Sequence, residues 1–260
     1  MANKIFQAKS YFNYWLDAVD EHSLHSPFFF DFYTQVVKAK NGIREAASIE
    51  TLRQKLLQDQ GSIEVVDLGA GGSGTLQKKS IADIAKRTLS RPDFSSLYAR
   101  MISYFNAKTI LELGTAFGIN TLYLAHRKDT SVTTFEGSPE IANTARSTFE
   151  FAGAKNIDLI VGNLDTTLSS YLQSIRKVDF VFIDANHRFY PTLKYADLIF
   201  AKVHSGSVLV IDDIHYSREM ALAWEKIRGH KLVYGSADLF RCGIAFFDPS
   251  LNKQHVVLQF

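Results

Sequence analysis

The sequence predicts an α/β fold: a doubly wound, seven-stranded, mostly parallel sheet whose last strand is antiparallel, preceded by an N-terminal helical cap. Two observations predict it. From residue 109 onward, apolar runs rich in Val, Ile and Phe alternate with amphipathic stretches, as in a sheet buried on both faces. The last two runs are separated by only a few residues, whereas a parallel crossover needs about a dozen. The final strand is therefore expected to run antiparallel to its neighbour.

The individual elements follow from these patterns in chain order. Strands are predicted at 109–113, 132–136, 157–161, 179–184, 207–212, 231–237 and 243–248. The intervening helices are predicted at 119–127, 139–152, 165–176, 190–202 and 217–229. Ser217 is a suitable N-cap for the last of these, and Met220, Trp224 and Ile227 form its apolar stripe.

Residues 1–93 differ from the rest and predict a helical cap, followed by the sheet domain at 94–260. Helical patterns occur at 5–20, 28–39, 44–58 and 79–89, with another at 94–105 before the first strand. Aromatic residues concentrate at 11–15 and 28–33. Such clusters usually belong to a core, so we expect these rings to be buried rather than to line a substrate pocket.

The composition excludes several classes of protein. With 46% hydrophobic and 22% charged residues and a net charge of +2, the chain has an ordinary soluble composition. The balanced charge gives no support for a nucleic-acid footprint, although it leaves a local basic patch open. No apolar run is long enough to span a membrane. The single Cys242 excludes an intrachain disulfide and is expected to be a small buried residue. We therefore expect a cytoplasmic protein without nucleic-acid or membrane partners, and the sequence leaves a homodimer open.

The segment 110–125 is the most informative part of the chain. It passes from an apolar run through a glycine turn at Gly114 and Gly118 into an amphipathic stretch, and Glu136 ends the next apolar run. Glycine lets the backbone approach a ligand closely, because no Cβ intervenes. An acid about 22 residues beyond the first glycine is suitably placed to accept hydrogen bonds from ribose hydroxyls. The segment therefore predicts a nucleotide-binding unit.

A second glycine-rich loop, at 65–74, matches the dinucleotide-binding spacing literally. Its context differs, because no apolar run ending in an acid follows about 20 residues later. We interpret this loop as a surface or gating loop rather than as the main ligand site. The turn at 114–118 lacks the third glycine of the dinucleotide pattern, which disfavours a nicotinamide cofactor.

Acidic residues follow the predicted strands closely. Asp184 ends one apolar run, and Asp212 and Asp213 end the next. Ligands bind at the carboxyl ends of strands in open parallel sheets, so these three carboxylates are expected to converge there. A hard divalent cation such as Mg²⁺ would remove their mutual repulsion. The alternative is that Asp213 caps a turn and Asp212 binds backbone amides.

Four histidines are candidates for acid–base chemistry. His187 lies three residues after Asp184 and could take a proton from a substrate hydroxyl near neutral pH. His215, directly after the acidic pair, is the rival for this role. His22 and His25 have no obvious partner in the sequence, although they could reach the site from the cap.

Residues 97–248 resemble the class I S-adenosylmethionine-dependent methyltransferases, and 110–125 is similar to their first motif. The nearest likeness is to the metal-dependent O-methyltransferases of catechol, caffeoyl-CoA and macrolide-sugar type. The resemblance implies a Rossmann-like methyltransferase fold and assigns cofactor contacts to Glu112, Gly114, Ala116, Gly118, Asn120, Glu136, Asn163 and Leu164. It assigns the metal ligands to Asp184, Asp212 and Asp213. His187 takes the place of the catechol-type lysine base.

The resemblance implies methyl transfer from S-adenosylmethionine to a hydroxyl of a small molecule, assisted by Mg²⁺ or a similar cation, with His187 and Asp184 as catalytic residues. Three alternatives remain open at this point. They are an NAD(P)-dependent oxidoreductase, an aminopropyl transferase that uses decarboxylated S-adenosylmethionine, and a catalytically silent module that binds the donor.

Overall fold

The computed structural model describes residues 4–66 and 76–260, and the chain divides into two compact units. Unit 1 consists of Met1–Lys40 together with Tyr171–Phe260, and unit 2 is Asn41–Ser170. Most of the glycine-rich loop at 65–74, interpreted above as a surface or gating loop, lies outside the described residues. The boundary between a cap and a sheet domain at residues 93 and 94 stays a prediction.

The described helices are α1 (Lys4–Asp17), α2 (Pro27–Phe32), α3 (Ala46–Gln58), α4 (Ile81–Thr88), α5 (Pro92–Tyr104), α6 (Ile119–Leu124), α7 (Pro139–Ala152), α8 (Leu164–Ser174), α9 (Phe189–Phe200) and α10 (Arg218–Arg228). A 3₁₀ turn at Glu21–Ser23 precedes α2, and a π-helical turn at Tyr33–Val37 follows it. The described strands are β1 (Ser62–Val66), β2 (Leu76–Ser80), β3 (Thr109–Leu113), β4 (Ser131–Glu136), β5 (Ile157–Val161), β6 (Phe180–Ile183), β7 (Val208–Asp212), β8 (Gly235–Asp238), β9 (Cys242–Phe246) and β10 (Gln254–Val257).

The strands β3 to β10 form a mostly parallel eight-stranded sheet, so the predicted fold class is confirmed. In unit 2, β4 pairs in parallel with both β3 and β5. In unit 1, β6 pairs in parallel with β7, and β9 runs antiparallel to both β7 and β8. The expected antiparallel strand is therefore β9, which follows β8 after a connection of three residues.

The sequence analysis missed three short strands. The predicted seven-stranded sheet has an eighth strand, β10, which pairs in parallel with β8. A separate antiparallel pair, β1 and β2, lies in the region predicted to be a helical cap. These strands carry charged and polar residues in Glu64, Lys78, Lys79 and His255, so no continuous apolar run marks them. The predicted strand at 231–237 is shorter in the structure and begins only at Gly235.

Local capping explains where the helices that flank the strands begin and end. The Ser138 hydroxyl accepts from the backbone N–H of Ile141 at the start of α7, and Gly153, with φ of 67°, ends that helix. The predicted N-cap Ser217 accepts from the N–H of Met220 at the start of α10. The predicted stripe of α10 is confirmed, because Met220, Trp224 and Ile227 are buried.

The aromatic residues near the N-terminus separate into two groups. Phe29 and Phe32 are fully buried and contact the ring of Phe246 edge-on, as expected for a core. In α1, by contrast, Phe12 and Trp15 are 57% and 63% exposed, and the helix buries no residue. The prediction that these rings belong to a core is therefore wrong for α1. Within the described ranges, no helix is both long and apolar enough to cross a membrane.

Candidate functional site

The glycine turn of unit 2 connects β3 to α6. Gly114 has φ of 107°, a conformation that favours glycine, and its N–H donates to the carbonyl oxygen of Phe135 over 3.1 Å. Gly118 has φ of 80° and caps the N-terminus of α6. A Cβ on Gly118 would lie 2.4 Å from the ring of Phe149. The close approach that Gly118 permits is therefore made by α7 of the same unit.

Glu112 organises the buried side of this turn. Its carboxylate is fully buried and accepts from Asn120 Nδ2 over 2.9 Å, from Thr121 Oγ1 over 2.5 Å and from Thr134 Oγ1 over 2.7 Å. Because the amide nitrogen of Asn120 is held in this way, its Oδ1 is left buried without a hydrogen-bond partner among the described residues. A buried acceptor without a partner costs free energy, so this oxygen is suited to a ligand that donates.

Glu136 is positioned at the end of β4 by backbone donors. Its Oε2 accepts from the N–H of Ala116 and its Oε1 from the N–H of Ser138, each over 3.0 Å. Burial raises the pKa of Glu136, while these backbone hydrogen bonds act in the opposite direction. Ala116 has φ of 47°, which is uncommon for a residue with a Cβ. The turn is thus attached directly to the acid that the sequence proposes for ribose binding.

Two of the predicted cofactor contacts, Asn163 and Leu164, lie at the start of α8. The Asn163 side chain accepts from the N–H of Asp165 over 2.9 Å, which caps the helix. Asn163 is exposed, Leu164 is half-buried, and the N–H of Gly162 donates to the carbonyl oxygen of Glu136. The segment is therefore tied to the same strand end as the glycine turn.

The three predicted metal-ligating acids come together in unit 1. Asp212 is fully buried at the end of β7, and Arg241 donates to both of its carboxylate oxygens. Burial and the neighbouring charges of Asp184 and Asp213 raise the pKa of Asp212, and Arg241 opposes this. Burial and Asp184 likewise raise the pKa of Asp213, which has φ of 54°. The carboxylates are close enough to repel one another, as expected.

The contacts of these acids do not match a metal site. The guanidinium of Arg241 is bidentate on Asp212, and Asp184 Oδ1 lies 3.2 Å from His187 Nε2. In the part of the chain that the structure describes, no three His, Cys, Asp or Glu side chains are arranged to hold a metal ion. The divalent cation stays a prediction from the resemblance.

His187 is paired with an acid and largely buried. Burial alone would lower its pKa, but the hydrogen bond to Asp184 and the charges of Asp184, Asp213 and Asp212 raise the pKa of His187 to about 9. Its Nδ1 is buried without a hydrogen-bond partner among the residues the structure describes, and φ is 43°. In this arrangement the imidazole is protonated at neutral pH, so it must first lose a proton to act as a base.

His215, the rival base, belongs to a second histidine–carboxylate pair. Its Nε2 lies 2.7 Å from Asp238 Oδ2, and its ring stacks on Phe240 with centroids 5.3 Å apart. Asp238 Oδ1 accepts from the N–H of Phe240 over 2.7 Å. His22 and His25 are both exposed, and the described contacts do not link them to either pair. Cys242 is buried, as predicted.

Sequence reasoning missed two residues of this cluster, Arg241 and Asp238. Both lie in or beside the connection between β8 and β9, a segment singled out for its shortness alone. The sequence signal that could have identified them is a pair of charged residues, an arginine and an aspartate, beside a short connection between two apolar strands. Their partners, Asp212 and His215, are more than 20 residues away in sequence, so the pairing itself could not be read from spacing.

Part of the chain is similar to known methyltransferase sequences. Residues 111–214 match a family model described as a methyltransferase domain. The chain is 31% identical over 111 residues to the catechol O-methyltransferase of Mycobacterium tuberculosis, covering 42% of this chain and 49% of that protein. It is 26% identical over 126 residues to a protein-L-isoaspartate O-methyltransferase of Azorhizobium caulinodans, covering 45% and 58%. The chain thus spans less than two thirds of the length of these curated relatives.

Solved structures show the same fold. A methyltransferase of Podospora anserina in its S-adenosylhomocysteine-bound form superposes with a TM-score of 0.58 at 16% identity, covering 86% of this chain and 97% of that one. An O-methyltransferase of Bacillus cereus in complex with the same compound gives 0.55 at 16% identity, covering 83% and 96%. The predicted Rossmann-like class I fold is therefore confirmed.

Proposed function

Because residues 111–214 match a family model described as a methyltransferase domain, we propose that this protein is an S-adenosylmethionine-dependent O-methyltransferase that acts on a hydroxyl group of a small molecule. The observation that carries the proposal is the attachment of Glu136 to the glycine turn through the N–H of Ala116. This contact presents a partly buried carboxylate beside backbone in a left-handed conformation, an arrangement suited to a ribose with two hydroxyl donors.

The residues of unit 2 fit such a donor. Glu136 Oε1 and Oε2 each accept one backbone hydrogen bond and, as carboxylate oxygens, have further capacity to accept. Asn120 Oδ1 offers a buried acceptor whose direction is set by Glu112, which suits an ammonium group. When bound, S-adenosylmethionine supplies an electrophilic methyl group on a sulfonium. The part of this unit is to bind and orient the donor, and orientation contributes strongly to the rate of a two-substrate reaction.

Unit 1 supplies the acid–base groups that transfer to a hydroxyl requires. We propose that His187, oriented by Asp184, accepts the proton of the acceptor hydroxyl. Its buried Nδ1 is the nitrogen that is not directed at Asp184. A positioned base of this kind contributes about 10²–10⁴-fold to a rate. His215, held by Asp238, is the second candidate, because its pairing leaves Nδ1 as the remaining ring nitrogen.

The expected divalent cation does not fit the acid cluster as it stands. Both oxygens of Asp212 are held by Arg241, and one oxygen of Asp184 faces His187. A cation at this place would compete with a bidentate guanidinium for a buried carboxylate. We therefore derive no catalytic step that involves a metal.

Calorimetric titration with S-adenosylmethionine and S-adenosylhomocysteine tests the donor site. We expect both to bind, and we expect Glu136→Ala to weaken binding about tenfold or more, because it removes two acceptors. Glu150→Gln is the matched control, since Glu150 is an exposed acid on α7 outside these contacts. An unchanged affinity in Glu136→Ala would refute the proposed donor site.

The same titration separates the alternatives. Binding of NADH in place of S-adenosylmethionine would indicate an oxidoreductase, and preference for the decarboxylated donor would indicate an aminopropyl transferase. Donor binding without methyl transfer to any hydroxylated compound, tested with a labelled methyl group, would indicate a silent module. The match of 111–214 to a methyltransferase domain favours the first proposal over these.

A further inference from the structure

We infer that Arg241 takes the place of a divalent cation beside Asp212, so that the acid cluster of unit 1 holds no resident metal. The inference rests on the proposed function in one respect: that function places this cluster beside the hydroxyl that receives the methyl group. The contacts themselves belong to unit 1 alone. They concern three carboxylates, of Asp184, Asp212 and Asp213, and the two nitrogen-bearing side chains that face them.

The ion pair between Arg241 and Asp212 has the geometry of a strong interaction. Arg241 Nε lies 3.1 Å from Asp212 Oδ1, and Nη2 lies 2.8 Å from Oδ2, so the guanidinium forks over the carboxylate. Asp212 has no exposed surface, whereas the side chain of Arg241 is about one quarter exposed. A buried carboxylate without a counter-charge is costly, and a bidentate arginine is well suited to provide one.

The backbone holds Arg241 in this position. Its N–H donates to the carbonyl oxygen of Leu239 over 2.8 Å, and its own carbonyl accepts from Ile214 over 3.2 Å. The segment that carries the acidic pair is thereby attached to the connection that carries the arginine. The preceding residue, Phe240, has φ of 64° and donates its N–H to Asp238. Both the backbone hydrogen bonds of the β8–β9 connection and the ion pair itself therefore hold Arg241 beside Asp212.

A second carboxylate of the cluster also has a nitrogen partner. Asp184 Oδ1 lies 3.2 Å from His187 Nε2, on the loop that follows β6. A cation that used all three acids would lie beside two side chains that already neutralise them. A hard cation binds carboxylates at short distances and in fixed directions, so it would compete with the forked guanidinium for the oxygens of Asp212 and would be repelled by its positive charge. The arginine and a metal are therefore alternatives at this site.

Titration with Mn²⁺, followed by calorimetry and by the electron paramagnetic resonance signal of free Mn²⁺, tests the inference on the donor-free protein. We expect the wild-type protein to bind no Mn²⁺ at this cluster, and its melting temperature to be unaffected by EDTA, Mg²⁺ or Mn²⁺. In Arg241→Ala the uncompensated carboxylates should bind Mn²⁺ at least about tenfold more tightly than in the wild type. The variant should also melt at a lower temperature, and Mn²⁺ should restore part of the loss.

Three further variants complete the experiment. Arg241→Gln keeps more of the side-chain volume and replaces Arg241→Ala if that protein does not fold. Adding Asp212→Asn to either Arg241 variant should abolish the acquired Mn²⁺ binding. Arg228→Ala, which removes an arginine from the end of α10, is the matched control and should acquire none.

Two results would overturn the inference. The first is stoichiometric Mn²⁺ binding by the wild-type protein that Asp212→Asn abolishes. The second is a folded Arg241 variant that binds no more Mn²⁺ than the wild type. Neither result depends on the donor, so a separate titration with S-adenosylmethionine distinguishes a failure of this inference from a failure of the proposed function.

Discussion

Asn120 donates from its amide nitrogen to Glu112 Oε1 over 2.9 Å, and this bond leaves Asn120 Oδ1 buried without a partner within the described ranges. The carboxylate can only accept, so it determines which end of the amide faces it. The orientation of the Asn120 amide, a predicted cofactor contact, is therefore fixed: its nitrogen faces Glu112 and its oxygen points away. The hydrogen bond to Glu112 thus leaves the Asn120 oxygen able to accept from a further donor.

This orientation predicts the effect of replacing Asn120. We expect Asn120→Leu to weaken S-adenosylhomocysteine binding about tenfold or more, because a neutral acceptor is lost and an apolar group takes its place. Asn143→Leu, on the exposed face of α7, should leave the affinity unchanged. Calorimetry checks both variants. Equal affinities for Asn120→Leu and the wild type would show that this oxygen contacts no donor.

Glu112 is expected to matter for stability. Glu112→Gln would direct amide hydrogens at hydroxyl and amide donors that now point at a carboxylate, leaving buried groups without partners. We expect a loss of about 2–3 kcal/mol in the free energy of unfolding. Urea denaturation followed by circular dichroism measures it. A loss within error of the exposed control Glu150→Gln would contradict the structural role of this carboxylate.

The contact between Gly118 and Phe149 predicts a pair of coupled substitutions. Gly118→Ala would place a methyl group 2.4 Å from the Phe149 ring at a residue with φ of 80°, and should destabilise the protein by about 1–3 kcal/mol. Phe149→Leu makes room, so the double variant should lose less than the sum of the single losses. A double-mutant cycle by chemical denaturation checks this. Strictly additive losses in the free energy of unfolding would show that the Phe149 ring moves aside without destabilising the protein.

The raised pKa of His187 predicts a pH-dependent contribution to stability. With a folded-state pKa of about 9 and an ordinary value near 6.5, the protonated imidazole stabilises the fold fully below about pH 6.5. This contribution, on the order of 3 kcal/mol, is lost as the pH rises through about 9. The stability difference between wild type and His187→Gln should therefore shrink from about pH 6 to about pH 10. A difference that is constant over this range would exclude the charged pair with Asp184.

Much of the fold could be predicted because its signals are local. The strands β6 and β7 are almost continuous apolar runs. The helix α7 has both a capping serine and a terminal glycine, so its predicted bounds match the observed ones. The strands β1, β2 and β10 were missed because their pairing with a neighbour, not their hydrophobicity, makes them strands. The exposure of the aromatic rings in α1 could not be predicted, because the sequence pattern identifies an apolar helix face but does not show whether another element packs against it.

The candidate site shows the same division. Position at a strand end is a property of the local pattern, so Glu136, Asp184, Asp212 and Asp213 could be selected from the sequence. Which side chain neutralises each acid is a long-range property. Arg241 reaches Asp212 across 29 residues, so this partner could not be identified from the sequence.

By itself, the sequence determined the class of fold, the order of most strands and helices, and the acids at the strand ends. Hydrophobic period and turn chemistry act over a few residues and are visible in the chain. Only the tertiary structure decided that Glu112 orients Asn120, that α7 occupies the space opened by Gly118, and that Arg241 faces Asp212. These relationships arise when distant segments pack, and the cost of burying an unpaired polar or charged group then selects the partners.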